Sequence, residues 1–345
     1  MATTNYNDFI FFYTKHNHYF TLFALSSTAP VKIFITIYNA AMNSNDLLSA
    51  IIDQASGILL GKQHAIRLSL CTLLSKGHLL IEDLPGVGKT TLAHLLGQLI
   101  GLDFQRIQFT SDLLPADILG VSIYERNSES FIFHQGPVFS QLLLADEVNR
   151  ATPKTQSALL EAMEEKQVTI DGKTHLLPKP FFVIATQNPA TQIGTFPLPE
   201  SQLDRFLMCI NIGYPDVDSE RALLEGDDRR EMLTTMKPVI SPEQLTSLQK
   251  QASDIYVSPA LLDYCQAILK YTRQTSLFRH GLSPRAGLAL LNAAKSWAMI
   301  ENRSEVIPED LQAVIPAVVN HRLILQQDVS FDDAGQQILE HVAIP

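Results

Sequence analysis

A chain of 345 residues, 46% of them hydrophobic, holds material for two or three domains with sizeable cores. Its net charge of −10 and lack of any long basic run argue against an extended nucleic-acid-binding face, leaving room only for a local basic pore in an oligomer, so no nucleic acid partner is expected. Cys71, Cys209 and Cys265 are far apart in apolar surroundings, which excludes a cysteine metal site and predicts buried thiols in a reducing, cytoplasmic compartment.

From the N-terminus, residues 1–41 are rich in phenylalanine and tyrosine and poor in charge. Their apolar stretches at 9–12 and 31–35 are broken by Lys15, Pro30 and Lys32 and are too short to span a bilayer, so no stable membrane insertion is expected. The weakly charged start and long, interrupted apolar part make a poor signal peptide. The expectation is an atypical, non-native extension, with Met42 as the true start.

Two helical patterns follow. Residues 46–60 carry Leu47, Leu48, Ile51, Ile52, Ala55, Ile58 and Leu59 near a helical period. Residues 63–76 are similar, with Gly77 expected as the residue just past the helix end. Five short apolar runs come next, at 78–81, 104–109, 142–145, 181–185 and 207–212. Several are continuously apolar, as strands covered on both faces should be. Helical patterns such as 90–101 and 155–166 separate them, which predicts an α/β core with a mainly parallel sheet between helices. Two insertions break this rhythm. Residues 121–134 alternate around a polar tip, and 167–177 alternate around Asp171-Gly172, a hairpin turn signal. Two hairpins grafted on a core predict protruding parts able to touch a partner.

Beyond residue 231 the strand signals stop. Ser241-Pro242, Ser258-Pro259 and Ser283-Pro284 each precede a helical pattern, with serine as N-cap and proline in the first turn. Gln244 adds a capping box to the first. A fourth helix is predicted over 308–321. The domain reading is a core over 42–212, a charged linker over 213–240 and an all-helical domain over 241–345.

The chemistry starts at Asp83-Leu84-Pro85-Gly86-Val87-Gly88-Lys89-Thr90-Thr91, between an apolar strand and a helical pattern. In that setting a glycine loop cradles phosphate, so Pro85, Gly86, Val87, Gly88, Lys89, Thr90 and Thr91 are assigned to nucleotide binding. Gly86 and Gly88 let backbone N–H groups close around phosphate oxygens, and the helix dipole favours the anion. Lys89 reaches the β- and γ-phosphates of ATP, and the Thr90 hydroxyl ligates Mg²⁺. A strict motif has glycine where Asp83 stands. This departure alters the opening turn, not the catalytic groups, and is expected to be tolerated.

The apolar run at 142–145 ends in two acids. Asp146 is assigned to the metal and Glu147 to the general base that polarises the attacking water. Ligands of open α/β sheets bind at the carboxyl ends of strands, where both acids lie. Asn188, after the next strand, is expected at the same edge to orient that water or to touch the γ-phosphate. Arg205 is the candidate for stabilising the transferring phosphoryl group, in trans if it lies at a subunit edge, the alternative being a salt bridge with Asp204 or Glu200. Arg285, in the first turn of a helix, opposes the helix dipole, a placement that a docked nucleotide phosphate would explain.

Further segments carry a resemblance. They are Gln108-Phe109-Thr110-Ser111-Asp112-Leu113-Leu114-Pro115-Ala116-Asp117-Ile118-Leu119-Gly120, Gly136-Pro137-Val138-Phe139, and Lys154-Thr155-Gln156-Ser157-Ala158-Leu159-Leu160-Glu161-Ala162-Met163. Gly194-Thr195-Phe196-Pro197-Leu198-Pro199-Glu200 and Leu203-Asp204-Arg205-Phe206 continue them. With the glycine loop and the acid pair, the chain from Met42 onward resembles an AAA+ ATPase, most closely of the MoxR family. The resemblance implies a five-stranded P-loop core plus a helical lid, and ATP hydrolysis between subunits of a homo-oligomeric, hexameric ring. It implies that 86–91 is Walker A, that Asp146 and Glu147 are Walker B, and that Asn188 is sensor 1. Arg205 is then the arginine finger and Arg285 is sensor 2. It also implies chaperone-like remodelling of protein partners, often with a partner carrying a von Willebrand factor A domain.

The alternatives are a nucleic-acid-processing motor, disfavoured by the acidic balance, and a magnesium-chelatase-like motor subunit, separated only by family resemblance. A non-catalytic scaffold is disfavoured by the complete set Lys89, Asp146, Glu147, Asn188 and Arg205.

Overall fold

The structure is a computed structural model. It describes residues 3–6, 9–16, 19–26, 33–37, 43–127, 129–188, 194–226, 229–326 and 333–344. The chain forms two compact units, Met1–Leu48 and Ser49–Pro345. Strands β1 (Thr3–Tyr6), β2 (Phe9–His16), β3 (Tyr19–Ser26) and β4 (Ile33–Ile37) pair antiparallel in sequential order. Sequence reading recognised only broken apolar runs here. The aromatic and β-branched residues that fill those runs also favour extended backbone.

Helices α1 (Ser44–Ile58) and α2 (Gln63–Leu74) precede the main sheet. The left-handed residue past α2 is Lys76, with φ 57°, rather than Gly77. Glycine is needed at 77 for a different reason: a Cβ there would lie 2.4 Å from the Cβ of Leu207.

The core then runs β5 (Leu79–Glu82), α3 (Lys89–Ile100), β6 (Phe104–Gln108) and α4 (Pro115–Leu119). A hairpin follows, β7 (Gly120–Glu125) with β8 (Ser130–Gln135). Next come β9 (Leu142–Asp146), α5 (Pro153–Glu165) and a second hairpin, β10 (Gln167–Ile170) with β11 (Lys173–Leu176). Pairing of Ile170 with Lys173 leaves Asp171-Gly172 as the two-residue turn, as expected. The core closes with β12 (Phe182–Gln187), α6 (Glu200–Leu203) and β13 (Met208–Ile210). All five predicted apolar runs are therefore strands, and they form one parallel sheet in the order β13-β5-β12-β9-β6. β9 is buried along its whole length, which is why its sequence is apolar without alternation.

Helices α7 (Val217–Glu225) and α8 (Arg229–Thr235) occupy the stretch expected as linker. The Asp216 carboxylate caps α7 by accepting from the Ser219 N–H at 2.8 Å. The helical part comprises α9 (Pro242–Ser253), α10 (Pro259–Gln274), α11 (Pro284–Ile300), α12 (Pro308–Val319) and α13 (Asp333–His341). The predicted caps are present. Ser241, Ser258 and Ser283 hydroxyls accept from the N–H groups of Gln244, Leu261 and Ala286 at 3.3, 3.2 and 3.1 Å. α11 is the central helix of this part, packing on α2, α9, α10 and α12. Among the described residues, no helix is long and apolar enough to cross a membrane.

Candidate nucleotide site

The loop from β5 to α3 opens at the carboxyl edge of the sheet. Gly88 caps α3 in the left-handed region, with φ 101°, and a Cβ there would come within 2.9 Å of Leu59. No side chain caps α3, whereas α5, α7, α9, α10 and α11 each have a capping oxygen. The first-turn N–H groups of α3 are thus left for an external anion. Asp83 braces the loop: its carboxylate accepts from the N–H groups of Ile212 and Gly213, at 2.7 and 2.6 Å, and from Leu84 N–H at 2.8 Å.

Lys89 is only 7% exposed. Its ammonium donates to the Asp83 carbonyl at 2.6 Å and to Asn188 Oδ1 at 3.2 Å. Burial pulls its pKa down, and the nearby carboxylates of Asp83, Asp146, Glu147 and Glu82 oppose that pull. Burial also pushes the Glu82 carboxyl up, against a hydrogen bond from Gln187 and the charge of Lys89.

The acid pair stands at the end of β9, flanked by β12 and β6. Asp146 accepts from the Thr186 hydroxyl at 2.6 Å and from Arg106 Nη2 at 2.7 Å. Glu147 adopts a left-handed backbone, with φ 56°, a costly conformation that re-aims its side chain. Its N–H donates to Thr186 Oγ1 at 2.8 Å, so one hydroxyl ties both acids to β12. Its carboxylate accepts from Asn188 Nδ2 at 3.0 Å and Gln108 Nε2 at 2.8 Å, and pairs with Arg150 at 3.1 Å. Arg106, Gln108, Arg150 and Thr186 were not singled out from sequence. The alternation of Arg106 and Gln108 along β6 was the available signal, because residues two apart share one face of a strand.

Lys89, Asp146, Glu147 and Asn188 therefore converge on one edge. Arg205 and Arg285 do not join them. They line a separate cavity of about 290 Å³ together with Lys76, Lys166 and Arg322, and no residue of the 83–91 loop reaches it. Arg285 pairs with Glu164 of α5. Asp204, the acid beside Arg205, is taken by Arg322, and among the described residues no carboxylate pairs with Arg205.

A larger cavity of about 470 Å³ adjoins the loop at Glu82, Asp83 and Leu84 and is walled by His64, Leu68, residues 209–211 and the end of α12. The uncapped helix start, the buried lysine, the Thr90 hydroxyl and the Asp146 carboxylate make a donor set suited to a magnesium nucleotide. Mg²⁺ is usually held by one or two protein oxygens plus phosphate.

A parallel sheet with a glycine loop, a buried lysine and an acid pair at its carboxyl edge defines a P-loop nucleotide-hydrolysing class. Comparison with known proteins sharpens this. Residues 78–208 match the ATPase family associated with various cellular activities (AAA), and residues 270–342 match the AAA lid domain. The protein YeaC of Bacillus subtilis is 44% identical over 304 residues, covering 87% of this chain and 95% of that protein. Chaperone MoxR1 of Mycobacterium tuberculosis is 42% identical over 314 residues, 86% and 82% of the two chains. A crystal structure from Cytophaga hutchinsonii, described as a candidate ATPase, superposes with a TM-score of 0.78 at 36% identity, covering 88% of this chain and 96% of that one. The chain belongs to the MoxR family of AAA+ ATPases.

Proposed function

We propose that this ATPase works as an oligomeric ring, hexameric on the family resemblance, in which each nucleotide is hydrolysed between two subunits. The separation of the site residues carries this reading: Lys89, Asn188 and Glu147 are hydrogen-bonded together at the sheet edge, while Arg205 and Arg285 line a cavity that none of them reaches. Within one protomer, Lys89 and the N–H groups of residues 86–91 would hold the phosphates, and Thr90 and Asp146 would hold Mg²⁺. When bound, that ion neutralises charge on the phosphate oxygens. Glu147 takes the proton of the attacking water, and Asn188, hydrogen-bonded to both Lys89 and Glu147, keeps base and cation in register. Arg205 and Arg285 serve the nucleotide of the adjoining subunit.

The likeness to a named chaperone supports protein remodelling or maturation as the use of this turnover. The exposed hairpin β7–β8, with Phe131 70% and Tyr124 51% accessible, is the proposed client-facing part. A partner bearing a von Willebrand factor A domain is proposed on the family resemblance alone.

The test is ATP turnover against protein concentration for the full chain, Glu147→Gln and Arg205→Ala. Specific activity is expected to rise with concentration. Both variants are expected to bind ATP yet lose turnover, Arg205→Ala by about 10³-fold or more. Wild-type turnover independent of concentration, or full activity in Arg205→Ala, would refute the shared site.

A further inference from the structure

The segment that carries Arg205 is held from outside the core. Arg322 follows α12, and its side chain is only 5% exposed. Its Nε donates to the Asp204 carboxylate at 2.7 Å, and Nη2 donates to the carbonyls of Asp204 and Phe206 at 3.3 and 2.5 Å. Nη1 donates to the Leu207 carbonyl at 3.1 Å and to the carbonyl of Val318 in the last turn of α12. The adjacent His321 places Nε2 3.2 Å from the same Phe206 carbonyl. One guanidinium thus binds the backbone on both sides of Arg205 while neutralising the acid next to it. That leaves Arg205 without a competing carboxylate. The planar fork is essential to this grip. A lysine ammonium is a point charge and cannot span three carbonyls and a carboxylate.

We propose that Arg322, seconded by His321, is the positioning residue for Arg205. It makes the helical lid of one protomer a part of the active site it completes on its neighbour. This rests on the reading that Arg205 acts in trans. Arg322 touches no nucleotide and acts only by fixing where the Arg205 guanidinium stands.

The experiment uses full-length chains mixed in pairs. Arg322→Lys alone is expected to keep ATP affinity within about twofold and to lose turnover by about 100-fold, the scale of an ångström-sized misplacement. It is then mixed with Glu147→Gln, which offers an intact Arg205 but turns over nothing itself. If Arg322 acts through the arginine given to a neighbour, the mixture regains turnover, because each Arg322→Lys site adjoins some intact donors. A mixture of Arg205→Ala with Glu147→Gln is the reference. Recovery in the reference without recovery for Arg322→Lys overturns the proposal and leaves the trans reading standing. No recovery in either overturns both. If Arg322→Lys loses its helical circular dichroism signal, Asp204→Asn replaces it in the same mixtures with the same expected recovery, and failure to recover overturns the proposal equally.

Discussion

Asp83 shows how a single residue can break a motif and strengthen a site. A strict phosphate loop has glycine there, and the sequence marks the aspartate as a tolerated departure. The structure gives it a role, since its carboxylate gathers three backbone N–H groups, two of them just beyond β13. Those partners lie 129 and 130 residues downstream, so nothing local in the sequence announces them. Replacing Asp83 with alanine strands the N–H groups of Ile212 and Gly213. The expected cost is about 2 kcal/mol, read as a lower urea midpoint, with weaker ATP binding. Asp83→Gly restores the strict motif and is expected to fare no better. Lys89, Asp146, Glu147 and Asn188 were legible because a parallel sheet brings successive strand ends together. Arg106 and Thr186 were not, because their contacts depend on the registers of β6 and β12 against β9.

At the scale of elements, the Ser-Pro helix starts and continuously apolar strands could be read directly, since each signal is local. The end of α2 could not. The requirement for glycine at 77 comes from Leu207, on a different strand connection. The neighbouring His78 leads into β5 and is buried, with its Nδ1 accepting from Val183 N–H of β12 at 3.0 Å. Burial first, then the charge of Lys166, pulls its pKa down to about 4. Between pH 6.5 and 4 the unfolded chain therefore takes up a proton that the native imidazole refuses. Stability falls as the pH drops through that window, by about 3 kcal/mol at its lower end, and levels off below it. His321, also lowered by burial, acts in the same direction. Urea midpoints across this range should fall less steeply in His78→Asn, which keeps an acceptor near Nδ1 but has no titrating ring.

On the scale of the whole molecule, the sequence supplied the list of candidate groups but not the division that sets Arg205 and Arg285 in a cavity apart from the rest. That division depends on how α11 and α12 pack against the core. Leu288 lies on α11 at the rim of the arginine cavity and is 64% exposed, an apolar side chain beside five cations. A neighbouring subunit is the expected cover. Leu288→Asp should leave the thermal midpoint of the fold nearly unchanged. It should shift sedimentation toward smaller species and raise the protein concentration needed for full turnover. An unaltered sedimentation profile would place the subunit contact elsewhere.

The strand order also sets a timetable for synthesis. β5, which launches the phosphate loop, has no neighbour close in sequence: it lies between β12 and β13, and its pairing partner Ile184 follows Leu79 by 105 residues. At ribosomal rates of about 5–20 residues per second, β5 waits on the order of 5–20 seconds with both edges bare. For that interval Leu79, Leu80 and Ile81 form an unpaired apolar template, and Lys89 has no Asn188 to meet. The ATPase thus emerges with its core unfinished, and its most vulnerable stretch while nascent is the strand that leads into its phosphate loop.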